Sequence, residues 1–438
     1  MEVKESVIMN TIYLNRNIDR ELESYLEAFG AVLITGPKWC GKTTSASMKA
    51  KSILKLQDPD KSQGYLLTAQ AKPSLLLEGD KPRLIDEWQM APVLWDAVRT
   101  SVDEMSIEGQ YILTGSTVVD ESKIMHTGTG RIARLKMYTM SLFESRESNG
   151  TISLTKLFND ENYMIDGSKS DLTIEDLIFA TCRGGWPSSF SKKTDAAKLL
   201  VAKSYVDNIV QTDISTVDGK QRDPLKVQTL LKSYARNIGT ISSNKTIIDD
   251  VNANISLSES AYYEYINALM KLYVIEDIPA WNPNIRSKTS IRSSNKRMFI
   301  DPSVAVAAMG LSPQILSQDF ETFGFLFENL CIRDLKVYAS SLGGHLSYYR
   351  DRMNLEVDAV LHLNDGRYAL IEFKLGTKQI EEAAKHLLEV VKLIHNANES
   401  RPTHRINEPA MLIIITGGEM AYTRKDGVKV VPIGCLKD

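Results

Sequence analysis

Apolar positions in Ile18-Asp-Arg-Glu-Leu-Glu-Ser-Tyr-Leu-Glu-Ala-Phe29 recur at helical spacing. A continuous apolar run, Ala31-Val-Leu-Ile-Thr35, follows between Gly30 and Gly36, the pattern of a strand buried on both faces. Arg83-Leu-Ile-Asp-Glu87 and Gln110-Tyr-Ile-Leu-Thr114 repeat it, with helical stretches near 42–51 and 92–105 between them. Strands alternating with helices predict a parallel sheet covered by helices. After about residue 145 the pattern changes. Residues 171–215 read as mostly helical, and 224–300 as two or three short helices followed by strand-like pieces around 272–278 and 297–301. That order is compatible with a winged helix. A further α/β pattern fills the rest: helix 321–340, strands 346–350, 355–363 and 367–375, helix 378–396, and strands 410–416 and 428–434. Asn364-Asp365-Gly366 between two of those strands is a tight hairpin signal.

The chain has 438 residues, enough for several separate cores, and 43% hydrophobic with 24% charged residues is ordinary globular composition. A net charge of −3 excludes a globally basic nucleic-acid binder but not a local basic patch. Cys40, Cys182, Cys331 and Cys435 form no CxxC pair, which argues against a disulfide framework or a zinc ribbon. The N-terminus lacks the apolar core of a signal peptide, and no apolar run approaches the length of a membrane span. The expectation is a cytoplasmic protein without a membrane partner.

Gly36-Pro37-Lys38-Trp39-Cys40-Gly41-Lys42-Thr43 fits GxxxxGK[ST] at every specified position, after a predicted strand and before a predicted helix. The chemistry needs that arrangement. Glycines let backbone N–H groups close around phosphates, and the helix N-terminus adds positive potential. Gly36, Pro37, Lys38, Gly41, Lys42, Thr43 and Thr44 are thus the expected nucleotide cradle, with Lys42 on the β- and γ-phosphates and the Thr43 hydroxyl on Mg²⁺. Leu84-Ile85-Asp86-Glu87 is an apolar run ending in two acids. Asp86 is expected to hold the magnesium ion through water, and Glu87 to polarise an attacking water, which favours hydrolysis over transfer to a small acceptor. Thr114, or Ser116, is placed to sense the γ-phosphate. Arg131, in Gly128-Thr-Gly-Arg131-Ile-Ala-Arg134, is preferred over Arg134 for stabilising transition-state charge, within the subunit or across an interface. The alternative is a surface arginine making only salt bridges.

The second constellation lies near the C-terminus. On a strand, Glu372 and Lys374 project to one side, and the strand paired through the Asn-Asp-Gly turn brings Asp358 beside them. Paired carboxylates can bind a divalent cation, and a lysine can position or activate water. Asp358 and Glu372 are therefore candidate metal ligands, Glu372 and Lys374 candidate catalytic residues, and Glu328 can complete the cluster. Glu-x-Lys alone is cheap, since Glu2-Val-Lys4 and Glu121-Ser-Lys123 repeat it. Three readings stay open: an active phosphodiesterase, an inactive domain of nuclease shape, and a sheet with polar residues facing solvent. Between Trp281 and Ile300 stand Arg286, Lys288, Arg292, Lys296 and Arg297 with no acid. A basic hairpin of this kind suits phosphate contacts to DNA. The alternative is a loop or hinge whose cations pair with acids elsewhere.

Taken in order, these motifs resemble the prokaryotic AAA-type P-loop ATPases that carry a C-terminal PD-(D/E)xK nuclease-like domain of unknown function. Besides the P-loop and Leu84-Ile-Asp-Glu87, the likeness runs through Leu113-Thr-Gly-Ser116, Gly130-Arg131, Gly184-Gly-Trp-Pro187, Ser233-Tyr-Ala-Arg236, Phe299-Ile-Asp301-Pro, Phe327-Glu328, Tyr349-Arg350, Glu356-Val-Asp358 and Ile371-Glu-Phe-Lys374. The resemblance implies an α/β fold with four parts: an ATPase core (1–145), a helical lid (146–222), a winged-helix-like domain (223–312) and a nuclease-like α/β domain (313–438). It departs at Ile209-Val-Gln-Thr-Asp213, where an arginine is expected before the threonine-like position, and at Lys38, where arginine is common. The expected activity is Mg²⁺-dependent ATP binding and hydrolysis coupled to a nuclease-like, DNA-associated domain, in a chain able to form a homo-oligomer. The rival is a nucleotide switch whose C-terminal domain only binds protein or nucleic acid. A small-molecule kinase fits less well, because Asp86-Glu87 suits water activation.

Overall fold

The computed structural model describes residues 7–8, 11–115, 127–281, 293–400 and 405–438. The chain divides into two compact units. The first comprises Met1–Thr139 with Thr212–Gln221 and Ile266–Val274, and the second holds the remainder.

The first unit is built on a five-stranded parallel sheet. Its spatial order is Ser52–Lys55, Arg83–Asp86, Tyr111–Thr114, Ala31–Thr35, Ile132–Lys136. Helices on both faces explain the unbroken apolar runs. Val32 and Ile34 pack with Leu22, Leu26, Ala46 and Ile112 on one face, while Leu33 packs with Ile85, Leu94, Trp95 and Val98 on the other. The helix Ile18–Ala28 buries Ile18, Leu22 and Leu26, four residues apart, as its spacing predicts. Two strands escaped the hydrophobic pattern, Ser52–Lys55 and Ile132–Lys136. Both lie at sheet edges, where alternating polar residues are tolerated.

The second unit carries a six-stranded mixed sheet in the order Tyr422–Thr423, Lys429–Pro432, Met411–Thr416, Tyr368–Lys374, Glu356–His362, His345–Arg350. The Asn-Asp-Gly hairpin forms as expected: Leu363 N–H donates to the Arg367 carbonyl at 2.8 Å, and Gly366 takes φ 91°. The helix Ile380–Ser400 joins Tyr368–Lys374 to its parallel neighbour Met411–Thr416, since parallel pairing requires a crossover. Helices Ile174–Arg183, Asp195–Asn208, Pro224–Arg236 and Asn244–Asn252 precede the sheet. Short antiparallel bridges join Ile275 to Phe299 and Ile278 to Lys296. All four cysteines are buried and unbridged. Among the described residues no helix is long and apolar enough to cross a membrane.

Candidate functional site

Parallel register decides which residues meet at the phosphate end of the first sheet. Thr114 aligns with Ile34 on one side and with Asp86 on the other. The loop leaving the Ala31–Thr35 strand therefore rises beside both. Gly36 and Gly41 adopt φ 143° and 102°, conformations that favour glycine. A Cβ on Gly36 would also lie 2.1 Å from the Met137 carbonyl oxygen. Arg16, only 6% exposed, donates to the carbonyls of Cys40 and Tyr138 at 2.8 Å each and ties the loop to its neighbours. Sequence reasoning missed Arg16, because nothing in the motif points 24 residues upstream.

The Lys42 ammonium is buried and donates to the carbonyls of Gly36 (2.9 Å) and Pro37 (2.7 Å). The Thr43 and Thr114 hydroxyls both donate to Asp86 Oδ1 at 2.6 Å. Hydroxyl and carboxylate oxygens thus converge at the N-terminus of the helix Lys42–Lys49, an all-oxygen donor set of the kind a hard divalent cation takes. Glu87 follows in a left-handed conformation (φ 56°), which ends the strand abruptly and turns the second acid away from the line of the first. Gln89 Nε2 donates to the Glu87 carboxylate. Thr44 is exposed on the first turn of the helix. Lys38 sends its side chain to Asp213 at 2.7 Å, so any contribution of Lys38 to a phosphate cradle falls to its backbone in this arrangement.

Arg131 is not at this end. It immediately precedes the Ile132–Lys136 strand, whose Ile132 pairs with Ala31, whereas the P-loop leaves after Thr35. Four residue steps separate the two ends, about 13 Å of strand. There Arg131 pairs with Asp103 at 2.6 Å, on the surface. The expected contact with phosphate within the chain is overturned, because motif order along a chain does not say at which end of a parallel strand a loop emerges. Ser116 lies outside the described residues.

In the second unit Asp358, Glu372 and Lys374 do come together. Lys374 Nζ lies 2.6 Å from Glu372 Oε2 and 3.2 Å from Asp358 Oδ2, which also accepts the Phe373 N–H at 2.9 Å. Glu328 joins from the helix Phe320–Ser340 through a residue expected elsewhere. Lys296 is 1% exposed, and its ammonium lies 2.9 Å from Glu328, 3.0 Å from Glu356 and 3.7 Å from Asp358. Arg297 is likewise buried and pairs with Asp277 at 3.0 Å. Of the two readings of this stretch, DNA contact and cations paired with acids elsewhere, Lys296 and Arg297 follow the second. They turn inward because the Ile278–Lys296 bridge pins the backbone across buried acids. Arg286, Lys288 and Arg292 lie outside the described residues.

The electrostatics follow from burial. Burial pushes the Glu328 carboxyl up to about 7, with Lys296 opposing and Asp358 reinforcing the shift. Burial and the neighbouring Asp358 likewise push Glu372 well above the usual carboxylate range. For Asp358 burial is outweighed by Lys296, Lys374 and the Phe373 N–H, which hold its carboxyl low. Burial also works against the Lys296 charge, yet Glu328, Asp358 and Glu356 more than compensate and keep the ammonium protonated. Among the described residues no group of three or more His, Cys, Asp or Glu side chains is arranged to hold a metal ion.

Residues 28–145 match a family model described as an AAA domain. With the P-loop geometry above, this match makes the first region similar to an AAA domain. Residues 174–315 and 323–436 match two domains of unknown function, DUF8612 and DUF4143. The uncharacterized protein Rv2008c of Mycobacterium tuberculosis is 21% identical over 423 residues, covering 95% of this chain and 83% of the relative. Mb2031c of Mycobacterium bovis gives the same figures. Among solved structures, the Walker-type ATPase PABY2304 of Pyrococcus abyssi aligns over 68% of this chain and 96% of its own, with a TM-score of 0.41 at 14% identity. The replication initiator DnaA bound to AMPPCP and single-stranded DNA aligns over 58% of this chain and 86% of its own, with a TM-score of 0.27 at 11% identity.

Proposed function

We propose that the protein binds Mg²⁺-ATP at the P-loop and hydrolyses it, coupling nucleotide state to the C-terminal domain. One observation carries this reading: the hydroxyls of Thr43 and Thr114 converge on one oxygen of Asp86 at the start of the P-loop helix. The P-loop N–H groups and the helix N-terminus cradle the phosphates. Among the described residues Lys42 is held by two neutral carbonyls, which it exchanges for phosphate oxygens without leaving a buried charge behind. Thr43 and Asp86 would hold magnesium, which when bound neutralises phosphate charge. Glu87 takes the proton of the attacking water, and Gln89 orients its carboxylate. Thr114 lies between strand ends, where it can report on Asp86 and the nucleotide together. Arg131 would meet phosphate only across an interface between copies of this chain; otherwise it is the surface arginine of the alternative reading, paired with Asp103.

For the C-terminal domain, the lysine-neutralised cluster favours the switch over the nuclease. With Lys296 and Lys374 bound among Glu328, Glu356, Asp358 and Glu372, the carboxylates are already engaged by cations of the chain. In this reading residues 146–222 act as a lid, 223–312 as a winged-helix-like linker and 313–438 as a binding module of nuclease-like shape. Contact of the 281–300 stretch with DNA would rest on Arg286, Lys288 and Arg292, since Lys296 and Arg297 are buried.

The test is titration with a fluorescent ATP analogue alongside phosphate release. Lys42→Ala is expected to lose nucleotide affinity. Glu87→Gln is expected to bind ATP with turnover down by ~10²–10⁴-fold, the usual worth of a general base. Equal turnover by wild type and Glu87→Gln would remove the role assigned to Glu87.

A further inference from the structure

A second lysine with neutral partners lies in the first unit, at the end of the sheet away from the P-loop. Arg83 aligns with Tyr111 where their strands begin, whereas Asp86 aligns with Thr114 where they end. Lys81 stands just ahead of Arg83. Its half-buried ammonium donates to the Leu77 carbonyl at 2.6 Å and lies 3.8 Å from the centre of the Tyr111 ring. The Arg83 guanidinium donates to the Leu76 carbonyl and to the Ser52 hydroxyl, each at 3.0 Å. Among the described residues neither cation pairs with a carboxylate. Burial and the Arg83 charge push the Lys81 ammonium down to about 8, the response of a cation with no counterion to offset its desolvation.

Lys81 lines a cavity of about 690 Å³ together with residues of the turn Pro73–Leu77 and the helix Val93–Met105. Small-molecule sites occupy roughly 300–1,000 Å³. Leu77, Val93, Ala97, Met105 and Tyr111 give the cavity an apolar lining, and the Tyr111 hydroxyl is already engaged with Ser101 at 2.8 Å. Val93 and Met105 are 40% and 49% exposed, apolar surface that a ligand would take out of water. We propose that this cavity binds a small organic carboxylate with an apolar body, the Lys81 ammonium receiving the carboxylate and the apolar lining the body. A cation held by a carbonyl and an aromatic face gains a charge-assisted hydrogen bond from such a ligand and leaves no other charge unpaired. Glu78, Asp96 and Glu104 also line the cavity, and they oppose a second negative charge. The class is therefore a monoanion, not a nucleotide or a nucleic acid. The inference is independent of the ATPase reading, since Asp86, Thr114 and the P-loop lie at the other end of the same strands.

The test is equilibrium dialysis of the full, nucleotide-free chain against radiolabelled decanoate. Decanol, with the same body and no charge, and decanedioate, with a second charge, serve as competitors. Wild type is expected to take up one decanoate per chain, with decanol weaker by ~10-fold or more, the worth of one charge-assisted hydrogen bond. Decanedioate is expected to compete less well than unlabelled decanoate. In Lys81→Met decanoate and decanol should bind alike. Val93→Glu adds an acid at an exposed lining position and should weaken decanoate more than decanol. If Lys81→Met fails to fold, Val93→Glu carries the test, because its site is exposed. The proposal is overturned if wild type takes up no decanoate, if decanol displaces it as well as unlabelled decanoate does, or if the preference survives Lys81→Met. It is equally overturned if Val93→Glu binds as wild type does, or if sedimentation shows that Val93→Glu splits an assembly that ligand-free wild type forms, which would make this face an interface between copies.

Discussion

The two units each set lysines among oxygen atoms, and the partners differ. In the first, Lys42 is held by the neutral carbonyls of Gly36 and Pro37. In the second, Lys296 and Lys374 are held by carboxylates. A buried ammonium on carbonyls can be handed to an incoming anion at small cost. A buried ammonium on carboxylates cannot leave without exposing uncompensated charge. One site is prepared for an anionic ligand, whereas the other has settled its charge within the chain.

The same substitution at the two lysines breaks the comparison most sharply. Lys296→Met leaves Glu328, Glu356 and Asp358 without their shared cation, and is expected to destabilise the protein by about 3–5 kcal/mol in denaturant unfolding at neutral pH. Lys42→Met should cost stability no more than about 1–2 kcal/mol, the worth of a hydrogen bond or two, while nucleotide affinity collapses. Similar stability losses in both variants would mean that the two lysines are held alike.

A smaller effect is the pH dependence. Glu328 is raised from its ordinary 4.5 to about 7, so the folded protein keeps a proton that the unfolded chain has released within that window. Its contribution is full below pH 4.5 and is lost as pH rises through 7, so this carboxyl makes stability fall on going from pH 5 to 8. The effect is about 3 kcal/mol, from a shift of about 2.5 pH units. Asp358, shifted down, acts in the opposite sense in the acid range, where stability falls as pH drops. The check is unfolding followed at a series of pH values. A curve that rises steadily from pH 5 to 8 would contradict the placement of Glu328. The smallest expected effect belongs to Lys38 and Asp213, a partly exposed pair at 2.7 Å. Lys38→Ala should lower thermal stability by only ~0.5–1 kcal/mol and leave ATP turnover standing.

The strands bearing chemistry were legible because both chemistries rest on local rules. The P-loop is contiguous, Asp86 and Thr114 end apolar strands, and Glu372, Lys374 and Asp358 follow from period two and a two-strand hairpin. Position in the sheet was not legible. Arg131 sits in a motif that reads as phosphate-binding, yet the parallel pairing of Ile132 with Ala31 puts it at the opposite end. Lys296 lies 62 residues from Asp358, within a run of basic residues whose composition suits solvent and phosphate equally well. Its inward turn depends on the non-local bridge to Ile278 and on acids supplied by distant elements. Arg16 and Gln89 act on motif residues through single hydrogen bonds, which leave no periodic trace.

The most direct test of the account measures phosphate release and DNA integrity in the same reactions. Purified protein would be given ATP, Mg²⁺ or Mn²⁺, and labelled duplex, single-stranded and branched DNA. Phosphate release is expected to fall by ~10²–10⁴-fold in Glu87→Gln, and the DNA to stay intact with or without ATP. Cleavage that disappears in Asp358→Ala and Glu372→Ala, or phosphate release that Glu87→Gln leaves unchanged, contradicts this expectation.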